Sequence, residues 1–195
     1  MAKDTVPLKI GIQGGEGSTN ERACLFFAEK HGFQDFEIKY LITTEAVLRA
    51  LNNGEIDYGT FAWKSSNCGL VEETQLAIKK YKYAKIDEQE FQLDHALLCN
   101  SKINPNKLIR IFSHPQALKQ HGTLLRKEFK NVKLVPEIDT AIAAEKMHQG
   151  EYPENSLVIA PTSCAKIYRL KVYIKDIPTN RGYLTKIYLV KKKDD

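Results

Sequence analysis

Apolar residues along the chain switch between two spacings. Short continuous or alternating apolar runs read as strands: Leu8 to Ile12, Phe36 to Leu41, Ile56 to Phe61, Phe91 to Leu98, Leu108 to Phe112, Val132 to Val135, Leu157 to Ala160, Lys171 to Ile174 and Leu184 to Val190. Between them lie stretches with helical spacing: Glu21 to Lys30, Thr44 to Asn52, Gly69 to Lys80, Ala117 to Leu125, Asp139 to His148 and Ser163 to Tyr168. Thr43 or Thr44 is expected to cap the second helix, which should stop near Asn53-Gly54. Ser113 is expected to cap the fourth. This alternation predicts an open α/β fold with mainly parallel sheets. Ligands of such folds sit beyond the carboxyl ends of the strands, which draws attention to the strand-to-helix loops.

Composition narrows the class. The 195 residues fit one domain, or two small lobes sharing it. At 43% hydrophobic and 27% charged, the chain is typical of a soluble globular protein. No apolar run approaches the roughly 20 residues of a membrane span. The start, Met1 to Pro7, lacks the apolar core of a signal peptide, so a cytoplasmic location is expected. Cys24, Cys68, Cys99 and Cys164 form no Cys-x-x-Cys pair and are expected to be reduced and mostly buried. The histidines have no metal-ligand spacing. A formal charge of +5, with lysine runs at 79–85 and 191–193, reads as a solvated surface rather than a nucleic-acid face. A positive field would suit a small anionic substrate.

Three loops could carry chemistry. Ser113-His114-Pro115-Gln116-Ala117-Leu118 joins an apolar strand to a helix, and a helix start favours an anion. Gly14-Gly15-Glu16-Gly17-Ser18-Thr19-Asn20 also joins a strand to a helix, and its glycines permit close backbone approach. Its spacing misses the dinucleotide fingerprint, and it lacks the lysine of a P-loop. Lys64-Ser65-Ser66 gathers a cation and two hydroxyls after a strand. No Gly-x-Ser-x-Gly elbow supports a serine hydrolase.

The hexapeptide at 113–118 resembles the Ser-His-Pro-Gln-Ala-Leu segment of prephenate dehydratases. Other segments are similar to that family in the same order. Gly14 to Ser18 stands for Gly-Pro-Glu-Gly-Thr, and Asp57 to Gly69 for Asp-Tyr-Gly-Val-Val-Pro-Ile-Glu-Asn-Ser-x-x-Gly. His95 to Leu98 stands for His-Asn-Leu-Leu, and Thr185-Lys186-Ile187 for Thr-Arg-Phe. The resemblance covers about residues 8 to 190. It implies two α/β lobes with a cleft between them, similar to type II periplasmic binding proteins. Lobe 1 would span about 1–78 plus 171–195, and lobe 2 about 79–170. Family members often carry a regulatory ACT domain after the catalytic part, and these 195 residues are expected to lack one.

The resemblance also implies residue roles. Thr185 matches the threonine whose hydroxyl assists departure of the substrate hydroxyl. Ser18, Lys64, Ser65, Ser66, Gln116 and Lys186 would hold the substrate. Asn180 also falls on a family-like position. Read from the residues alone, His95 and His114 are expected to be structural or to support the site rather than touch the ligand, and Trp63 to pack rather than stack on it. Where the family has Glu, Asn and Ser, this chain has Lys64, Ser65 and Ser66; Lys186 replaces Arg and Ile187 replaces Phe. The expected activity is decarboxylative dehydration of prephenate to phenylpyruvate in phenylalanine biosynthesis, a carbon–oxygen lyase reaction with no metal or other cofactor. Lys64 and Lys186 would make the cleft favour a dianion, prephenate or arogenate. Neither nucleic acid nor a membrane is expected as partner, and a homo-oligomer stays open. Two alternatives remain: a prephenate decarboxylase-like lyase that does not aromatise the ring, and a catalytically silent sensor of a small anion.

Overall fold

The structure, a computed structural model, describes residues 7–66, 68–175, 177 and 183–193. The chain first lays down β1 (Leu8–Ile12), α1 (Thr19–His31), β2 (Phe36–Tyr40), α2 (Thr44–Asn53), β3 (Tyr58–Ser65), β4 (Gly69–Leu70), α3 (Glu72–Ala77) and β5 (Ala84–Gln92). It continues with β6 (His95–Cys99), β7 (Ile109–Ser113), α4 (Pro115–Glu128), β8 (Val132–Pro136), α5 (Thr140–Gln149) and β9 (Ser156–Pro161). It closes with α6 (Ser163–Ile167), β10 (Lys171–Ile174) and β11 (Leu184–Lys191).

Two sheets form. The first has the order β2-β1-β3-β11-β5, with β4 paired to β3; the second has the order β10-β6-β9-β7-β8. Strand β1 is parallel to β2 and β3, and β7 is parallel to β8 and β9. The helical crossovers α1, α2, α4 and α5 make those parallel pairs geometrically reachable. The remaining pairs are antiparallel: β11 with β3 and β5, β4 with β3, β6 with β9, and β10 with β6. The sheets are therefore mixed, not mainly parallel. Strand β11 inserts between β3 and β5 instead of joining an edge, so the end of the chain closes the first sheet.

Several expected boundaries move. The single strand expected over Phe91 to Leu98 is the end of β5 in the first sheet and β6 in the second, and the chain crosses between sheets at 93–94. Strand β10 also belongs to the second sheet. Strands β5 and β10 thus fall on the opposite sides of the boundaries expected near 79 and 171, while β6 falls on the expected side. The helix expected over Gly69 to Lys80 is a two-residue strand followed by the short α3. Gly69 has φ +74, outside the right-handed helical region, so the helix starts later. Ser113 ends β7, and its Oγ donates to the Ile159 carbonyl at 2.7 Å. The cap of α4 is His114, whose Nδ1 accepts from the Gln116 amide at 3.2 Å.

Other caps follow the local pattern. Ser18, Thr43 and Asp139 each accept first-turn amides of α1, α2 and α5, and Gly54 ends α2 in the left-handed conformation. In the first lobe, α2 packs Leu51 against Phe61 and Val190 on one sheet face, while Ala23 and Phe27 of α1 pack on Ile187 and Leu189. The second sheet is covered on both faces, by α5 and α6 around Val158 and Ala160, and by α4 around Ile111 and Ile159. Trp63 packs as expected, stacked on Tyr188 with ring centroids 5.0 Å apart.

Asp87 on β5 ties the end of α1 to the sheet edge, with Lys30 Nζ at 2.7 Å and His31 Nε2 at 2.8 Å. The hydrogen bond from Lys30 is the main cause that holds its carboxyl down, from 3.8 to about 2, with His31 and the Glu88 amide adding to it. A depressed folded-state value means the contribution is present above pH 3.8 and lost as pH falls through about 2. Asp87→Asn is therefore expected to flatten the fall in stability over that window and to leave the dependence above it unchanged. Urea unfolding at stepped pH measures this.

Candidate active site

A cavity opens where the two sheets meet. Its walls are the carboxyl end of β1 (Gln13), the interior of β3 and β11 (Ala62, Thr185, Ile187), and the start of β6 (His95). Three helix starts complete it: Ser18, Thr19 and Asn20 at α1, His114 and Gln116 at α4, and Asp139 and Thr140 at α5. These helices have 13, 14 and 10 residues, long enough for the positive end of each dipole to act on an anion.

The lobes are tied around this cavity. Gly15 N donates to Asp139 Oδ1 at 3.3 Å, Ser163 Oγ to the Gly17 carbonyl at 2.8 Å, and Tyr168 OH to the Glu16 carbonyl at 3.1 Å. Gly17 has φ +83, and a Cβ there would lie 2.9 Å from Ile167 Cδ1 and 3.0 Å from Cys164 Sγ. The glycine loop thus brings its backbone close to α6 of the opposite lobe. Its last residues, not its glycines, face the cavity.

The sequence-expected residues divide into two groups. Ser18, Gln116 and Thr185 line the cavity together, with Ser18 and Thr185 almost fully buried. Lys64, Ser65, Ser66 and Lys186 do not line it. Alternation along β11 decides this: Thr185 and Ile187 face the cavity, so Lys186 faces away, where Nζ pairs with Glu88 Oε1 at 2.7 Å. Lys64 stands directly opposite Lys186 in the β3–β11 register and is exposed. Ser65 Oγ accepts from Gln120 Nε2 at 3.1 Å, which links β3 to a residue of α4 that lines the cavity. Ser66 Oγ accepts from the Leu184 amide at 3.1 Å. Asn180 lies outside the described residues.

Because both lysines lie outside the cavity, Lys64→Met and Lys186→Met are expected to leave the Michaelis constant and its salt dependence at the parent values. Glu88 already neutralises Lys186, and Lys64 lies exposed in high-dielectric solvent, so neither charge contributes a strong, salt-sensitive interaction with the ligand. Initial rates at low and high ionic strength check this.

Sequence reasoning missed several polar residues of the wall, among them Gln13, Asn20, Glu73 and Asp139. Gln13 Oε1 accepts from the Ala62 amide at 2.8 Å and from Asn20 Nδ2 at 3.4 Å, and its Nε2 donates to Glu73 Oε2 at 3.3 Å. Asn20 Oδ1 is buried without a hydrogen-bond partner. Glu73 Oε1 accepts the Thr44 amide at 2.6 Å. Asp139 Oδ1 takes the Ala141 and Ile142 amides at 2.8 and 3.0 Å as well as Gly15. Gln13 follows the first strand and was legible as a strand-end position. Glu73 lies in the first turn of α3, and only its contacts with Thr44 and Gln13 in the folded lobe bring it to the cavity.

No described residue lining the cavity is a lysine or arginine. Burial pushes the His95 imidazole down from 6.5 to about 3. Burial also lowers His114, partly offset by Glu73, whose Oε2 is 3.9 Å from His114 Nε2. The cavity therefore has backbone amides and uncharged donors for anions, and carboxylates for cations. Among the described residues no cluster of three His, Cys, Asp or Glu is placed to hold a metal ion, and no helix is long and apolar enough to cross a membrane.

This is a two-lobed α/β protein whose cleft is walled by helix starts from both lobes. The fold is shared with a periplasmic substrate-binding protein of an ABC transporter from Coxiella burnetii, with TM-score 0.55, 15% identity, and coverage of 95% of this chain and 84% of the other. It is also shared with prephenate dehydratase in complex with L-Phe from Arthrobacter aurescens, with TM-score 0.78, 22% identity, and coverage of 96% of this chain and 61% of that one. The chain belongs to the prephenate dehydratase family, whose description matches residues 10–195. A curated relative, the bifunctional chorismate mutase/prephenate dehydratase of Buchnera aphidicola subsp. Schizaphis graminum, is 27% identical over 180 residues, covering 92% of this chain and 46% of the relative. The chain spans about half the length of that relative.

Proposed function

We propose that the cavity converts prephenate to phenylpyruvate by decarboxylative dehydration, the carbon–oxygen lyase reaction of phenylalanine biosynthesis. The observation that carries this reading is Thr185 on the cavity wall beside the starts of α1 and α4. The carbon–carboxylate bond breaks and releases carbon dioxide. Its electron pair moves through the ring, and the ring carbon–oxygen bond breaks. Hydroxide leaves and takes up one proton, giving water. Thr185 Oγ–H donates a hydrogen bond to the departing oxygen, while Ser18, Gln116 and amides at the starts of α1 and α4 hold the carboxylates. The aromatic product supplies much of the driving force. The four described cysteines are free, which fits a reducing compartment such as the cytoplasm.

A second substrate has its own support. Glu73 on the wall, with no lysine or arginine among the described lining residues, favours a ligand that carries an ammonium group as well as carboxylates. Arogenate has that composition and would give phenylalanine directly. Incubation with each substrate, with products separated by chromatography, tests both. Phenylpyruvate or phenylalanine supports the dehydratase and identifies the preferred substrate. A decarboxylated dihydroaromatic product favours the non-aromatising lyase, and binding without turnover favours a sensor.

A further inference from the structure

His95 and His121 form a buried pair behind the cavity. His95 Nδ1 lies 3.1 Å from His121 Nε2, and the rings meet edge to face with centroids 5.3 Å apart. His95 is 7% exposed and lines the cavity; His121, on α4, is 2% exposed and does not. His121 Nδ1 is buried with no hydrogen-bond partner, and its ring meets Tyr183 edge to face at 5.5 Å. Burial keeps both rings uncharged at neutral pH, with values lowered to about 3 for His95 and about 4 for His121.

Two uncharged imidazoles sharing one hydrogen bond have two arrangements. In the first, His121 Nε2–H donates to His95 Nδ1. His121 Nδ1 is then a bare lone pair, and His95 carries its hydrogen on Nε2. In the second, His95 Nδ1–H donates to His121 Nε2, which forces a hydrogen onto the unpartnered His121 Nδ1. A buried N–H with no acceptor is the rarer defect in folded proteins, so the first arrangement is favoured. The hydrogen bond made by one ring nitrogen sets the state of the other.

We propose that His95 donates a hydrogen bond from Nε2 to a carboxylate or hydroxyl oxygen of the bound substrate, and that His121 is the positioning residue that fixes this tautomer. The proposal rests on the dehydratase reading. It adds an uncharged ring donor to Ser18, Gln116 and Thr185 on a wall whose described residues include no lysine or arginine. No proton is transferred by His95; its N–H strengthens the hold on a developing or resident negative charge.

The test joins nitrogen-15 NMR of the parent protein at neutral pH with kinetics of two variants. Both His95 and His121 are expected as the Nε2–H form. His121→Phe fills much of the same space without a donor and is expected to lower kcat/KM about ten-fold. His121→Gln places an amide donor near the old Nε2 and is expected to recover most of that loss. A parent spectrum with His95 in the Nδ1–H form overturns the proposal, and so does parent-like kcat/KM in a folded His121→Phe. Failure of that variant to fold leaves the parent spectrum and the glutamine variant to decide. Absence of turnover in the parent on either substrate sinks the dehydratase reading, while the spectrum still separates the two tautomers.

Discussion

Thr185→Val is expected to lower turnover by roughly 100-fold or more, the scale of a positioned proton donor. Valine keeps the branched shape and removes only the hydroxyl. Thr185 is 7% exposed and sits on β11 between Ser65 of β3 and Phe91 of β5, so the strand holds its side chain in one direction. A β-branched replacement suits that position, and thermal unfolding should stay near the parent. Substrate affinity is expected to change much less than turnover, because the hydroxyl acts mainly as the carbon–oxygen bond breaks. Single-turnover rates and binding by calorimetry separate the two. Turnover equal to that of the parent would remove Thr185 from the reaction.

Phe61→Ala is expected to destabilise the protein by about 3–5 kcal/mol. Phe61 is fully buried on β3, the strand that joins β1 to β11 in the first sheet. Its ring meets Tyr83 edge to face at 5.6 Å and Tyr188 at 6.1 Å, and it packs in the cluster of Val47, Leu48 and Leu51 from α2. Truncation leaves a cavity that three rigid neighbours, two aromatic rings and a helix, do not refill. A domain of this size has about 5–15 kcal/mol in all, so a large share is lost. The same strand carries Ala62 on the cavity wall and Ser65 against Gln120. Urea unfolding should show a lower midpoint with an unchanged slope; a midpoint within error of the parent would mean that Phe61 is not a core residue.

Local signals were legible where one residue decides. Thr43 caps α2 because its side-chain oxygen can reach an amide three residues ahead, whatever surrounds it. The stop at Gly54 has the same local origin. Ser113 shows the limit of such reasoning. It is a good cap by type, but β7 continues through it and the neighbouring β9 offers the Ile159 carbonyl. The cap therefore moved to His114, a residue with weaker local preference.

The order of apolar runs and the family segments determined that this chain is a two-lobed α/β protein, and they singled out Ser18, Gln116 and Thr185. Those segments are short and contiguous, so sequence order alone keeps each one intact. What faces the cavity was a tertiary decision. Lys186 is adjacent to Thr185 in sequence, yet the pleat of β11 turns it to Glu88 on the far side. Glu73, His95 and Asp139 come from three distant segments and meet only because the two sheets fold against each other. The acidic and uncharged character of the cavity, opposite in sign to the chain's formal +5, is likewise set there. Net charge is a sum over the surface, whereas a ligand responds to the few groups within a Debye length in a partly dry cleft.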